Sequence, residues 1–307
     1  MLPTVTSRLL VIAALPLAVL VLAGTALAVT ATPTHTVGGP VQVVAAESMW
    51  GSIAAQIGGS RAHVTSIVSN PATDPHEYEP SAIDARELAG AQLVIVNGAG
   101  YDAWASKLLA ANPDKHRVVI DVAQLVGAKK GANPHLWYAP HNVKRVIAAL
   151  RHAYSQLDPG NASAYVNSSS FFQHVGLAGY YQQIASIRQR FHGTKVGASE
   201  SIFAPLAKAL ALKLVTPPRF LNAISEGTDP TASDLKTIRS QITKRQIKVW
   251  VYNTQNSTPD VRRLNALARK HKIPVVPVSE TITPAQATFQ SWQVTQLLRL
   301  AQALGKK

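Results

Sequence analysis

Two histidines in this sequence sit in stiff turns. Asp74-Pro75-His76-Glu77-Tyr78-Glu79-Pro80 holds one, and Asn133-Pro134-His135-Leu136-Trp137-Tyr138-Ala139-Pro140 holds the other. Each imidazole follows a proline, which fixes its own φ and restricts the residue before it. Neutral imidazole is a good ligand for a divalent transition metal, and a stiff backbone lowers the entropy lost on binding. Two carboxylates stand at comparable places further on, Glu200 in Ser199-Glu200-Ser201 and Glu280 in Ser279-Glu280-Thr281. Singly, each feature has a plain reading: a rigid turn for either histidine, a helix cap for Glu200, a surface residue for Glu280. Together they form a chelating set, and metal binding accounts for all four. Glu77 and Glu79 stand beside His76 as candidates to orient it, and Glu79 equally as a cap for the next helix. The other eight histidines include His116, His141, His152, His174, His192 and His271, which read as surface positions.

Motifs for bond chemistry are incomplete. His76-Glu77-Tyr78-Glu79 is followed by Pro80, so H-E-x-x-H lacks its second histidine. Gly197-Ala198-Ser199-Glu200 is followed by Ser201, so G-x-S-x-G fails as well. No phosphate-binding G-x-x-x-x-G-K-[ST] loop is present. Asp229-Pro230 reads as a turn ahead of a helix cap.

The elements that must position these residues alternate. Strands are expected over 41–45, 63–68, 93–96 and 117–120, with helices over 49–57, 81–89 (capped by Ser81), 101–110 and 140–157. The run Leu93-Val94-Ile95-Val96 has the continuous apolar character of a buried parallel strand. Residues 161–191 contain no proline and read as one long helix, although Gly176 and Gly179 each weaken it by roughly 1 kcal/mol. The alternation restarts with strands over 195–198, 213–215, 247–252 and 275–278. Helices are expected over 202–212, 231–245 (capped by Thr231, with Asp234 at the capping-box position), 258–271 and 286–304. This predicts an α/β fold: two similar α/β lobes with mainly parallel sheets, joined by a long backbone helix. The expected divisions are 1–28 as signal peptide or N-terminal anchor, 29–40 as linker, 41–157 as first lobe, 158–192 as linking helix and 193–307 as second lobe. Ligands in such sheets sit beyond the carboxyl ends of strands. His76, Glu200 and Glu280 each follow a strand and His135 precedes a helix, so the four converge in the cleft between lobes.

Composition narrows the setting. The chain has 307 residues, 47% hydrophobic, enough for two ordinary cores. Arg8 is the only charge ahead of an apolar run over 9–29, and Ala26-Leu27-Ala28 fits a small-x-small cleavage site. A secretory signal explains these features, a retained anchor is the alternative, and both place the protein outside the cytoplasm. No cysteine is present, which excludes disulfides, thiolate metal ligands and a cysteine-linked lipid. The net charge of +14 would suit nucleic acid, but export and the scatter of the charges argue against it. The scattered cations read as a solvated face suited to an anionic membrane or cell-wall surface, on a protein expected to be monomeric.

With these motifs in hand, the chain resembles the solute-binding proteins of metal-ion ABC transporters, in the zinc/manganese cluster that includes zinc-uptake and pneumococcal adhesin-type proteins. The segment GGSRAHVTSIVSNPATDPHEYEPSAIDARELAGAQLVIVNGAGYDAW carries the likeness in the first half, with NPHLWYAPHNVKRV, EGTDPTASDLKTI and KVWVYNTQNSTP after it. The resemblance implies no enzyme but a receptor that holds a divalent metal as cargo, Mn2+ or Zn2+ with Fe2+ possible, and delivers it to an ABC permease. It implies His76 and His135 as first-lobe ligands, Glu200 at a position where zinc-type members usually have His and manganese-type members commonly have Glu, and Glu280 where Asp is usual. The His-rich acidic loop of zinc-type members is replaced by residues 125–131, which contain no histidine. Two imidazoles and two carboxylates make a harder site than three imidazoles, moving preference toward manganese or iron(II), while the general affinity order still favours zinc over manganese. A metal-dependent envelope hydrolase or an adhesion module with a structural metal are the alternatives.

Overall fold

A parallel strand covered on both faces needs an unbroken apolar run, and Leu93–Val96 is buried at every position in the computed structural model of the protein. The structure describes residues 39–129 and 131–306. The expected signal or anchor over 1–28 and nearly all of the linker over 29–40 lie outside the described residues. The first lobe contains β1 (Val41–Glu47), α1 (Ser48–Gly58), β2 (Ala62–Val68), α2 (Ala82–Gly90), β3 (Leu93–Val96), α3 (Ala103–Ala111), β4 (Val118–Asp121), α4 (Val122–Val126) and α5 (Pro140–Leu157). Helices α6 (Ala162–Phe171) and α7 (Ala178–Phe191) follow. The second lobe contains β5 (Lys195–Ala198), α8 (Ala204–Ala209), β6 (Lys213–Leu214), α9 (Pro218–Ser225), α10 (Ala232–Thr243), β7 (Trp250–Asn253), α11 (Pro259–Lys270), β8 (Val275–Val278) and α12 (Phe289–Gly305).

The strand orders are β2-β1-β3-β4 and β6-β5-β7-β8, with every pair parallel. Both sheets therefore use one topology, in which the order reverses between the first and third strands. That reversal opens a crevice at the carboxyl edge, where α/β sheets take ligands. The fold class expected from sequence is thus observed. Helix α9 has no counterpart in that expectation, which places no element between 215 and 231. Pro218 instead opens the helix, where its missing N–H leaves no bond unmade, and Phe220, Leu221 and Ile224 are buried beneath it.

The long helix expected over 161–191 is corrected in its middle. Residues Phe172–Gly176 form a π-helical turn, and Leu177 N donates to Phe172 O at 2.8 Å, five residues back. The extra residue turns buried Leu177 into the core and separates α6, which packs on α1 and α5, from α7, which packs on α12. Gly176 suits this turn, since a Cβ there would stand 3.0 Å from the Phe172 ring.

The core runs through both lobes, with Trp50, Trp137, Trp250 and Trp292 buried in it. Tyr138 joins the lobes: the single proton of its hydroxyl faces two acceptors, Ser279 O at 2.8 Å and Gln296 Oε1 at 2.9 Å. Gly197, in β5, is packed closely by its neighbours. A Cβ there would meet the Trp250 ring at 2.8 Å and Ile247 Cδ1 at 2.9 Å. Trp250 cannot retreat easily, because its indole N–H donates to Asn265 Oδ1 at 2.7 Å. Gly197→Ala should therefore lower stability by about 1–3 kcal/mol through overpacking, seen as a lower urea midpoint with an unchanged m-value.

Candidate metal centre

Each of the four side chains is delivered by a local structure that the sequence dictates. His76 lies in a one-turn 3-10 helix, Pro75–Glu77, whose entry is capped: His76 N–H donates to Asp74 Oδ1 at 3.0 Å. His135 is held by Asn133, whose Oδ1 accepts from both the His135 backbone N–H at 3.0 Å and its Nδ1 at 2.8 Å. The amide is oriented by its other end, since Asn133 Nδ2 donates to Ser201 O at 2.7 Å. The proton of His135 thus sits on Nδ1 and the lone pair on Nε2. Glu200 and Glu280 follow β5 and β8 by two residues each and have no exposed surface.

These residues meet. One ligand atom from each of His76, His135, Glu200 and Glu280 lies within 4.8 Å of all the others. His76 Nε2 is 3.3 Å from Glu280 Oε2, and His135 Nε2 is 3.6 Å from Glu200 Oε1 and 3.8 Å from Glu280 Oε2. The His76 side chain keeps 22% exposure and faces a cavity of about 850 Å³ lined by Asp74, Tyr101, Asn133, Ser201 and Ser225 among others. His135 is fully buried, and its Nε2 has no hydrogen-bond partner. A buried acceptor left bare costs free energy, so native folds leave one only for a reason.

Residues that sequence reasoning passed over hold the carboxylates. Asn253, at the end of β7, donates from Nδ2 to Glu200 Oε2 at 2.8 Å and to Glu280 Oε1 at 2.7 Å. Tyr101 OH donates to Glu280 Oε2 at 2.5 Å, and Ser225 OH donates to Glu200 Oε1 at 3.3 Å. Glu280 N–H donates to Gln255 Oε1 at 2.6 Å. Asn253 had one visible signal, a polar residue closing the apolar run KVWVY; Tyr101 had none. Glu77 and Glu79 are corrected: both are exposed, and His76 is oriented by Asp74, Tyr101 and Glu280 instead. Ser81 caps α2 in a capping box with Asp84, which leaves Glu79 no capping role.

The electrostatics are those of four groups sharing too few charges. Burial raises Glu200, and the neighbouring Glu280 charge adds to this, to about 8. Burial would raise Glu280 too, but the facing imidazoles, above all the protonated His76 at 3.3 Å, outweigh it and hold this carboxyl well below its ordinary range. Burial alone would pull His76 down; the Glu280 carboxylate at its Nε2 outweighs that and lifts it to about 9. Burial keeps His135 below the ordinary imidazole range, hence neutral. Without an ion, the centre near neutral pH carries a proton on His76 and one on Glu200, with Glu280 ionised.

Two parallel-sheet lobes with a buried His2Glu2 cluster at facing carboxyl edges have the architecture of a two-lobed solute-binding protein. The family model described as zinc-uptake complex component A, periplasmic, matches residues 43–303, and the chain belongs to that family. It is 26% identical over 300 residues to the metal ABC transporter substrate-binding lipoprotein ScbA of Streptococcus cristatus, covering 89% of this chain and 92% of that one. It is 30% identical over 144 residues to the manganese-binding lipoprotein MntA of Halalkalibacterium halodurans, a match spanning 45% of this chain and 47% of that protein. Its fold matches a Mn-bound periplasmic metal binding protein from Candidatus Liberibacter asiaticus with a TM-score of 0.71 at 19% identity, over 85% of this chain and 98% of the other. No helix among the described residues is long and apolar enough to cross a membrane.

The Asn253 amide is the one donor shared by both buried glutamates. Asn253→Ala should destabilise the metal-free protein by about 1–3 kcal/mol, since both carboxylates lose a hydrogen bond where water cannot replace it. Chemical denaturation in chelator checks this, and an unchanged midpoint would refute the bridging role.

Proposed function

We propose that the protein captures a divalent transition metal outside the cytoplasm, as cargo, with His76, His135, Glu200 and Glu280, and delivers it to an ABC permease. Residues 1–28 act in export, and 41–157 and 193–307 are the lobes joined through 158–192. The observation that carries the reading is the bare, buried Nε2 of His135 facing three further ligand atoms. Ligands about 2.1 Å from a tetrahedral ion stand about 3.4 Å apart; three of the pairs here are 3.3 to 3.8 Å apart and all lie within 4.8 Å, so an ion would draw the set together. Two carboxylates also neutralise a divalent ion, which removes most of the cost of burying it. The harder donor set favours manganese or iron(II) relative to a three-histidine site, without removing affinity for zinc.

Calorimetric titration of zinc and manganese tests the ligand set. His76→Ala and Glu200→Ala should each weaken binding by at least about tenfold, and unchanged isotherms in both would sink the assignment. Zinc binding with no measurable manganese binding would overturn the metal preference and leave the ligand set standing.

The protons give a second test. His76 at about 9 and Glu200 at about 8 are both protonated at neutral pH in the ion-free centre, and both must lose that proton to ligate. Affinity should therefore rise with pH through neutrality, level off above about 9, and fall in acid. Titrations at neutral pH in buffers of different ionisation enthalpy should show net proton release on binding. Release that is absent at neutral pH would contradict this protonation pattern.

A further inference from the structure

The far end of the second sheet carries a feature that the metal centre does not use. All four strands run parallel, so their amino ends share one edge, opposite the edge that holds Glu200, Asn253 and Glu280. A lysine marks the start of each strand. Lys213 opens β6 and Lys195 opens β5, and the two are register partners; Lys248 stands two residues before β7 and Lys272 three before β8. Neighbouring strands lie about 4.8 Å apart, so the four starts form a row about 15 Å long. A cavity of about 510 Å³ opens at this edge, lined by Lys195, Lys248, Lys272, Arg245 and Lys306 and by no Asp or Glu. None of these five has a carboxylate within ion-pair distance among the described residues.

The fold does not account for this grouping. Helices α10 and α11 end at this edge, and a cation near a helix carboxyl end is favourable. That covers Arg245 and Lys272, which lie just past those ends, yet both have positive φ, 51° and 59°, where glycine is the unstrained choice. It does not cover Lys195 and Lys213, which open strands, or Lys248, which leads into β7. Like charges on paired strand positions repel and destabilise a sheet. Five cations around one concavity, with no carboxylate paired to them among the described residues, are arranged as an anion site is. A single phosphate reaches two or three of them; only a chain of anions engages the whole row.

We propose that this edge of the second lobe binds a linear phosphate-bearing polyanion, such as a phosphodiester-linked polymer of the cell envelope. The choice of polymer over bilayer rests on the delivery reading above. The carboxyl edge faces the first lobe, so this amino edge, about 16 Å from Glu200 along β5, lies on the outer flank of the second lobe, clear of the cleft that a permease must reach. The interaction holds the receptor in the envelope while the cleft stays free.

Long-chain inorganic polyphosphate is the probe, with binding to the metal-free protein followed by anisotropy across a salt series. The triple variant Lys195→Gln/Lys248→Gln/Lys272→Gln should lose about tenfold or more in affinity and show a shallower dependence of log K on log salt. The control triple Lys107→Gln/Lys208→Gln/Lys236→Gln, with the same charge change at exposed sites elsewhere, should lose about twofold at most. Equal losses in the two triples would overturn the proposal in favour of non-specific attraction. Inorganic phosphate competing as well as the polymer, phosphate for phosphate, would reduce the feature to a single-anion site. Stronger capture by phosphatidylglycerol vesicles through the same lysines would assign the edge to membrane. Metal titration in the same samples separates the two readings: the lysine triple should bind metal normally, and His76→Ala should bind polyphosphate normally.

Discussion

Two glutamates without exposed surface stand side by side at the carboxyl edge of the second sheet, and the rest of the centre is a response to their repulsion. Neither Glu200 nor Glu280 can be hydrated, and their charges would face each other in a medium of low dielectric. The protein answers with donors. Asn253 gives its amide to both, Tyr101 and His76 approach Glu280 from the first lobe, and Ser225 approaches Glu200. The residual imbalance appears as protons, one on Glu200 and one on His76. On the ligand set proposed above, a divalent ion would replace both protons with a charge that suits both carboxylates.

That response requires the lobes to be held in register. Tyr101 belongs to the first lobe and Glu280 to the second, and Tyr138 reaches across to Ser279, the residue before Glu280. Gln255 adds a third crossing, donating to Thr73 O at 2.7 Å while its oxygen accepts from Glu280 N–H. The cleft is therefore stitched by polar contacts near the ligands and by aromatic packing further back. The π turn at Phe172–Gly176 falls where the linking helices pass from α1 and α5 to α12, so the one irregularity in that link coincides with the change of packing partner.

The sequence disclosed the parts of this that are local. A proline before each histidine, a carboxylate two residues beyond each strand and the regular alternation of apolar runs are all short-range signals, and they led to the α/β class and to the four residues the structure brings together. What stayed hidden is long-range or irregular. Tyr101 and Glu280 are 179 residues apart, and no periodicity in Asn97-Gly98-Ala99-Gly100-Tyr101 marks a hydroxyl destined for the other lobe. The π turn was invisible because a single extra residue leaves helical patterning almost intact. Glu77 and Glu79 misled for the opposite reason: nearness in sequence suggested contact with His76, but the 3-10 turn at Pro75–Glu77 sends them to solvent.

The lobes contribute unequally, and this bears on which ion is held. The first lobe supplies neutral donors whose geometry is set by backbone contacts, through Asp74 for His76 and Asn133 for His135. It also buries a second acid pair, Glu47 and Asp102, both raised by burial; Asp102 accepts from Gly98 N–H at 2.9 Å and so fixes the turn that carries Tyr101. The second lobe supplies all the negative charge. In the family that this chain resembles, aspartate is usual at the place of Glu280, and the extra methylene here extends the carboxylate toward the first lobe. Tyr101 and His76 meet it there, in contacts that cross the cleft. If the four residues ligate as proposed, selectivity depends less on the histidines, which most divalent transition metals accept, than on how far these cross-cleft contacts let two glutamates close around an ion that prefers oxygen.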